Sequence, residues 1–417
     1  MDGQFPSWTT LPFVALVLCI AVLPLAAPAA WSRQGFQAFV VAACAAPVVL
    51  FLFLTGHTSH LFSAGTSYLS FVATIGALYV TTSGIFLSGD ILATPRTNAA
   101  FLAAGAVLAS LIGTTGASIL LIRPLLRTNQ QRVHRAHLVP FFILVVSNAG
   151  GLLTPLGDPP LLIGYLEGVP FLWTLRLVPY WTLYVGVATL LLYVVDRHFH
   201  AKESDEALLR DREEVVPLAV LGKRNFVLLG VIVAAVLLPS GWREAAMGAT
   251  AATSYFTTPD DVHERNAFSF TPIRELAVIF AGLFACLAPI EVNLARSASE
   301  LPLHRAWQLF WGSGLLSSVL DNAPTYAAFV ALARGLNHAQ AGLVAGVTPV
   351  QLVAISVGSV VMGATTYIGN GPNLIVKALA EHAGYSTPSF GRYALFAIGI
   401  LLPLHGVTTL ALVWLER

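Results

Sequence analysis

The sequence predicts an all-α polytopic membrane protein: about ten transmembrane helices plus two re-entrant helical hairpins, in two inverted repeats with broken helices. Three observations carry this prediction. The first is composition. Of 417 residues, 56% are hydrophobic and only 10% are charged, and the mean hydropathy is +0.75, which is more apolar surface than a soluble core can hide. The second is segmentation, because charge-free apolar windows near the roughly 20 residues that span a bilayer recur along the chain. The third is repetition. T-P-L-G-D-P-P-L-L-I from Thr154 to Ile163 returns as T-Y-I-G-N-G-P-N-L-I from Thr366 to Ile375, a constant offset of 212 that places Gly157 on Gly369, Asp158 on Asn370 and Pro160 on Pro372. Glycine and proline thus interrupt long apolar runs in corresponding halves, the pattern that marks the substrate site of a secondary transporter.

Apolar windows fall at 11 to 30, 37 to 54, 69 to 88, 138 to 157, 171 to 195, 225 to 240, 276 to 290 and 393 to 414, with a weaker one at 243 to 257 and a long one from 341 to 376. The first is expected to be retained: its amino-terminal flank carries Asp2 and no Lys or Arg, whereas a secretory signal has a basic leading region. The Ala-rich run before Trp31 leaves cleavage open. Arg33, the first positive charge, follows this helix and places the amino terminus outside.

Residues 99 to 127 and 305 to 333 each read as an apolar half, a polar tip and a second apolar half. The tips are Gly113-Thr114-Thr115-Gly116-Ala117-Ser118 and Asp321-Asn322-Ala323-Pro324-Thr325, and an offset of 207 sets Thr115 on Asn322, Ser118 on Thr325 and Arg127 on Arg334. Polar backbone at membrane depth survives only where protein or a wet cavity satisfies it. Both segments are therefore expected to be hairpins whose tips meet in the interior, with a pair of kinked ordinary helices as the alternative.

Basic residues orient the chain. Arg123, Arg127, Arg132 and Arg135 follow the first hairpin, and Arg197, Lys202, Arg210, Arg212, Lys223 and Arg224 lie in the central linker. Both belong in the cytoplasm, while the loop 55 to 68 is nearly free of basic charge and belongs outside. With the hairpins not counted as crossings, five spans precede the linker and five follow it, so the second half inserts upside down. The division is a first repeat at 1–195 (hairpin 99–127, broken helix 138–165), a cytoplasmic linker at 196–224 and a second repeat at 225–417 (hairpin 305–333, broken helix 341–380). The linker interleaves Glu203, Asp205, Glu206, Asp211, Glu213 and Glu214 with its bases and reads as a solvated joint.

Charged residues inside spans are scarce and costly, roughly 2.5 to 3.5 kcal/mol for an aspartate at the centre on insertion scales. Asp158 is the only one between Arg135 and Glu167, and Asp321 the only one between Arg305 and Arg334. The bland reading of Asp158 is a helix cap ahead of Pro159. Around the two aspartates lie Ser147, Asn148, Thr154, Thr365, Thr366, Asn370 and Asn373 at the breaks, and Thr114, Thr115, Ser118, Asn322 and Thr325 on the hairpins. Oxygen donors suit hard cations such as sodium, and broken helices free carbonyls for coordination. A single Ser or Thr is more often a packing residue; the clustering at four related positions is what marks a site.

The net charge of +1 argues against nucleic acid, whose binding rests on clustered bases. Cys19, Cys44 and Cys286 lie in apolar stretches without C-x-x-C spacing and read as core residues. No G-x-x-x-x-G-K-[ST] or H-E-x-x-H motif and no nucleophile triad is present, so an enzyme is not expected. His57 and His60 read as surface residues of an extramembrane loop without an acidic neighbour.

"SNAGGLLTPLGDPP" from Ser147 to Pro160, with "LDNAPTYAA" from Leu320 to Ala328, resembles the D-type sodium/proton antiporters and the wider ion transporter superfamily that includes arsenite pumps and citrate or dicarboxylate carriers. "TTYIGNGPNLIVKA" resembles proteins described as citrate transporters. The resemblance covers about residues 37 to 417 and implies a scaffold of outer helices with a mobile unit of hairpins and broken helices. It implies ion-site roles for Asn148, Thr154 and Asp158 in the first repeat and Asp321, Asn322 and Thr325 in the second. The first tip departs by lacking the Ser-Asn-Thr triplet of dicarboxylate carriers.

The leading expectation is sodium/proton antiport by an ion-coupled secondary transporter of the bacterial inner membrane. The alternative is sodium- or proton-coupled transport of citrate or another organic anion. The expected ion- and substrate-binding residues are Asn148, Thr154, Asp158, Thr115, Ser118, Asp321, Asn322, Thr325, Thr366, Asn370 and Asn373, with Asp158 and Asp321 as sodium ligands. No cofactor is expected beyond sodium ions and protons. The expected partners are the lipid bilayer and a small inorganic cation or organic anion, with no nucleic acid and a homodimer left open. Lys377 is expected to be an interfacial base, or an anion contact if it faces inward.

Overall fold

A computed structural model describes residues 5–337 and 342–417. The chain is an all-α, polytopic, integral membrane protein. The long apolar helices α1 (Leu11–Ala26), α2 (Gln34–Leu54) and α3 (Thr58–Ser83) lead to a hairpin formed by α4 (Pro95–Ile112) and α5 (Thr114–Thr128). A broken helix, α6 (Leu138–Val145) and α7 (Pro159–Leu166), follows, and α8 (Val178–His200) closes the first half. After the linker helix α9 (Asp205–Glu213) come α10 (Arg224–Ala235), α11 (Trp242–Thr257) and α12 (Thr271–Ser297). A second hairpin of α13 (Ala306–Ser317) and α14 (Asn322–Leu336), a second broken helix of α15 (Pro349–Met362) and α16 (Gly371–His382), and α17 (Phe390–Leu415) complete the order. Among the described residues seven helices are long and apolar enough to cross a membrane, and 138–153, 224–235 and 349–365 form shorter apolar helices.

Element starts recur at nearly constant spacing. Pro159 and Gly371 open α7 and α16, and Val178 and Phe390 open α8 and α17, each pair 212 residues apart. The broken helices form the centre. Every residue of α6 is buried, as is every residue of α15 from Gln351 to Met362. The outer helices instead turn large apolar side chains outward, as α17 does with Leu395, Leu402, Leu410 and Trp414. Such a surface is stable against lipid and unstable against water. The hairpins pack crosswise: α14 lies on α7 of the first broken helix and α5 on α16 of the second, while α12 joins α14 to α2 and α3.

Three boundaries differ from the sequence expectation. The first tip contracts to Gly113, whose φ of +86° is open to glycine at little cost, so Thr114 to Ser118 are helical. The stretch 58 to 68, expected as loop, is the first turns of α3, where Tyr68 donates to the Ala277 carbonyl of α12 at 3.0 Å and satisfies a polar group inside the bundle. The linker is tied down rather than freely solvated. Its strand β2 (Ala219–Leu221) pairs antiparallel with β1 (Phe86–Ser88) ahead of the first hairpin. Buried Asp211 accepts from the Ala93 amide at 3.0 Å, and Asp90 accepts from the Val216 amide at 2.7 Å. The long run expected from 341 begins on a residue outside the described ones.

Candidate functional site

The two breaks share one backbone geometry. Thr154 and Thr366 are extended (φ −140°, ψ 159° and φ −132°, ψ 164°), and each side chain donates to a carbonyl at the end of a hairpin's first helix: Thr154 to Ser110, and Thr366 to Ser318 at 2.6 Å. Asp158 and Asn370 are likewise extended (φ −146°, ψ 145° and φ −150°, ψ 137°) and stand at the cap positions of α7 and α16. Between threonine and cap sits a glycine. A Cβ on Gly157 would stand 2.1 Å from the Gly151 carbonyl oxygen, and one on Gly369 would stand 2.5 Å from that of Gly363. The chain folds back on itself too closely there for any side chain.

These breaks bring Asp158, which is 1% exposed, to the meeting point of four helix starts. Its carboxylate does not cap its own helix. One oxygen accepts from the Thr114 hydroxyl at 2.7 Å and from Asn370 Nδ2 at 3.4 Å, and the other accepts from Asn322 Nδ2 at 3.0 Å. Thr114 and Asn322 are the first residues of α5 and α14. The amino termini of α5, α7, α14 and α16 therefore converge on one carboxyl, and their amide dipoles favour negative charge there. None of the three side-chain donors is charged, and none of the salt bridges among the described residues involves Asp158.

Around this carboxyl runs an amide network. Asn148 donates to Asn373 Oδ1 at 2.8 Å and to the Ile143 carbonyl at 2.9 Å. Asn370 donates to Asn148 Oδ1 and to the Ser147 carbonyl, both at 3.1 Å. Asn373 donates to the Gly363 and Thr366 carbonyls, each at 3.0 Å. The carbonyls freed by the breaks are thus held by asparagine side chains of the opposite or the same break, so each half needs the other to satisfy its backbone. Ser118 and Ser147 hydroxyls lie 2.8 Å apart and join α5 to the first break.

The expected residues fall into two groups. Asp158, Asn148, Asn322, Asn370 and Asn373 form one connected set, with Ser118, Thr154 and Thr366 bracing it. Thr115, Asp321 and Thr325 do not join it. Thr115 is half-buried and Thr114 takes its place, because helix starts at Thr114 and Asn322 set the hairpins 208 residues apart rather than 207. Asp321 is half-buried at the cap of α14, opposite Gly113 in this register, and Thr325 donates back to its carbonyl at 3.0 Å. Lys377 faces away, its ammonium 2.5 Å from Glu381 on the next helical turn. Ser317 escaped the sequence reading: buried, its hydroxyl lies 2.6 Å from both Asn322 Oδ1 and the Ser359 carbonyl, and its one proton, given to Asn322 Oδ1, turns the Asn322 amide toward Asp158. Ser110 escaped as well, although it matches Ser318 at the hairpin offset of 208.

Among the described residues no three His, Cys, Asp or Glu side chains gather as metal ligands. The site's donors are one carboxyl with amide, hydroxyl and carbonyl oxygens, a set that suits a proton or a hard monovalent cation. No curated protein matches the sequence. A family model described as "Putative citrate transport" matches residues 2–414, and by that match the chain, a multi-pass membrane transporter, belongs to this family.

Proposed function

We propose that this protein is an ion-coupled secondary transporter of citrate or a related organic anion, with Asp158 as the carboxyl that binds the coupling proton or sodium ion. The observation that carries the reading is the setting of Asp158: a buried carboxyl, held by three neutral donors, where four helix amino termini converge. A carboxylate so placed is balanced only by dipoles and hydrogen bonds, so taking up a proton or a sodium ion is favourable. Asn148, Asn322, Asn370 and Asn373 respond to that uptake because they are bonded to Asp158 or to each other. The family description supports the organic-anion substrate.

Sodium/proton antiport is the second reading. It is favoured by one feature, that a lone carboxyl open to either ion is sufficient for exchange by competition. Purified protein in sealed proteoliposomes separates the two. With no ATP and an imposed proton or sodium gradient, labelled citrate should accumulate, and proton flux should wait for citrate. Collapse of a proton gradient by sodium alone, with no organic anion, would move the assignment to antiport. Asp158→Asn should eliminate the response in either case.

A further inference from the structure

Beside the linker, at the seam between the two halves, a cavity of about 510 Å³ separates the segment that leads into α6 from the segment that leads into α17. The linker fixes one wall, because Glu203 accepts from the Val133 and His134 amides at 3.0 and 2.8 Å. That wall carries His134, Arg135 and His137, and the opposite wall carries Thr387 and Arg392. The Phe199 ring stacks on both imidazoles, with centroids 5.9 and 5.1 Å away, and holds them in place. Among the described residues no carboxylate lines the cavity. The two acidic groups bonded to its lining are committed elsewhere. Asp196, 3.0 Å from His137, pairs with Arg132 at 2.6 Å, and Glu381, which accepts from Thr387, pairs with Lys377 at 2.5 Å. Arg135 stands 4.1 Å over the Tyr385 ring and donates only to the uncharged Asn129 and Gln130 carbonyls. Arg392 is exposed and makes no hydrogen bond or ion pair among the described residues. Two guanidinium charges therefore border the cavity without a counter-ion.

We propose that this cavity binds the phosphate headgroup of an anionic phospholipid whose acyl chains run down α17. A planar guanidinium gives phosphate paired N–H bonds, and the amino terminus of α17 adds its dipole. The path for the chains starts at the same residue. Arg392 lies in the first turn of α17, and Leu395, Gly399 and Leu402 follow it on one face of that helix. Leu395 is 72% and Leu402 52% exposed, and a Cβ on Gly399 would meet nothing within 4 Å, so an open apolar groove continues from the guanidinium toward lipid. A free phosphate or carboxylate would balance the charges and leave that groove unused, whereas a lipid occupies both. Basic pockets between membrane helices on the cytoplasmic side hold acidic headgroups by this chemistry. The bound lipid would bridge the two halves where α6 meets α17, beside the edge-to-face pair of Phe141 and Phe396 at 5.2 Å. No residue of the Asp158 cluster lines the cavity.

Native mass spectrometry of the full-length protein, released from micelles holding equal amounts of phosphatidylglycerol and phosphatidylcholine, tests this. The wild type should retain phosphatidylglycerol in preference, and Arg392→Gln should cut that preference about fivefold, the worth of one base near an anionic surface. Because Arg392 is exposed and unbonded, the variant should fold as the wild type does. Arg224→Gln removes another exposed base at the start of a helix, α10, outside the cavity, and should leave the preference unchanged. Glycerophosphate, the headgroup chemistry without acyl chains, should not displace the lipid at equal concentration. A wild type without preference, or equal losses in the Arg392 and Arg224 variants, overturns the proposal. Displacement by glycerophosphate overturns it too, by assigning the cavity to free anions. Neither citrate nor a coupling ion enters the measurement, so its outcome stands apart from the transport assignment.

Discussion

A buried carboxyl with no cation beside it sets stability against function, and Asp158 should display that conflict. Its oxygens accept three hydrogen bonds from neutral donors, each worth about 1.5 to 3 kcal/mol net to the ionised group, against a desolvation cost of several kcal/mol for that form. Asp158→Asn keeps the shape and removes the charge. We therefore expect a variant that is folded, melts at the wild-type temperature or a few degrees higher, and shows no ion-dependent transport. Full ion dependence in a folded variant would return Asp158 to the role of a cap. The glycines of the breaks make the opposite case, because backbone rather than a movable side chain blocks their Cβ positions. Gly157→Ala meets the Gly151 carbonyl at 2.1 Å and Gly369→Ala the Gly363 carbonyl at 2.5 Å, whereas nothing lies within 4 Å of a Cβ on Gly391. The first two should lose about 3 kcal/mol or more and elute poorly from a sizing column, and Gly391→Ala should match the wild type. Equal behaviour of all three would mean that the fold-back is loose in the native protein.

Helices of the first half are tied together by a buried polar network near the linker, and its energetics are distinct from those of the site. Asp196 on α8 accepts from Arg132 at 2.6 Å, from Asn98 of α4 at 2.9 Å, and lies 3.0 Å from His137 beside α6. Asn98 and Asn129 exchange reciprocal amide bonds of 2.9 Å, which joins the two arms of the hairpin. Asp196→Asn removes the closer of the two buried carboxylates beside Arg132 and leaves it only Glu203 at 3.7 Å, so a loss below the about 3 to 5 kcal/mol of an unpaired buried charge is expected, read as a lowered thermal midpoint in detergent. Replacing Arg132 and Asp196 together should cost clearly less than the sum of the single changes; strict additivity would show that the pair is solvated. None of this network was legible in the sequence, since Arg132 read as a topology signal and Asp196 as the start of a loop. What was legible followed from local chemistry. The broken helices announced themselves because Gly and Pro at matched positions leave few other conformations, and Asp158 because a charge in an apolar run has few explanations. Register within the hairpins was not legible, because a Gly113 tip of one residue and a four-residue tip before Asn322 differ in length, and only the packed helices fix which threonine reaches the carboxyl.

At the scale of the whole molecule, the ordered recurrence of elements constrains how the two halves lie in the membrane. Three long helices, a hairpin, a broken helix and a final long helix follow one another in the first half, and α10 to α17 repeat that order after the linker, with α10 and α11 shortened to 12 and 16 residues. If each hairpin enters and leaves by the same side, every half crosses five times. The odd number turns the second half over relative to the first, which lets equivalent breaks approach from opposite faces and meet at the centre, as inverted repeats do in secondary transporters. The hairpin tips fit that requirement, because Thr114 and Asn322, each at the start of its hairpin's second helix, both bond to Asp158. α4, at 18 residues, is long enough to cross a bilayer, yet the amide of the following Thr114 donates to the Gly157 carbonyl at 2.8 Å beside that same carboxyl. The consequence is a topology that reporters can read. A fusion after Arg212 should be cytoplasmic, where the basic linker and the bases after the first hairpin lie, while fusions after Ser59 and at the carboxyl terminus should be external. Cysteines at Thr115 and Ala323, in a background with Cys19, Cys44 and Cys286 replaced, should react with an impermeant thiol reagent from opposite faces. A linker and carboxyl terminus on one side, or both tips labelled from a single face under all ionic conditions, would break the five-plus-five arrangement and make the hairpins ordinary crossing helices.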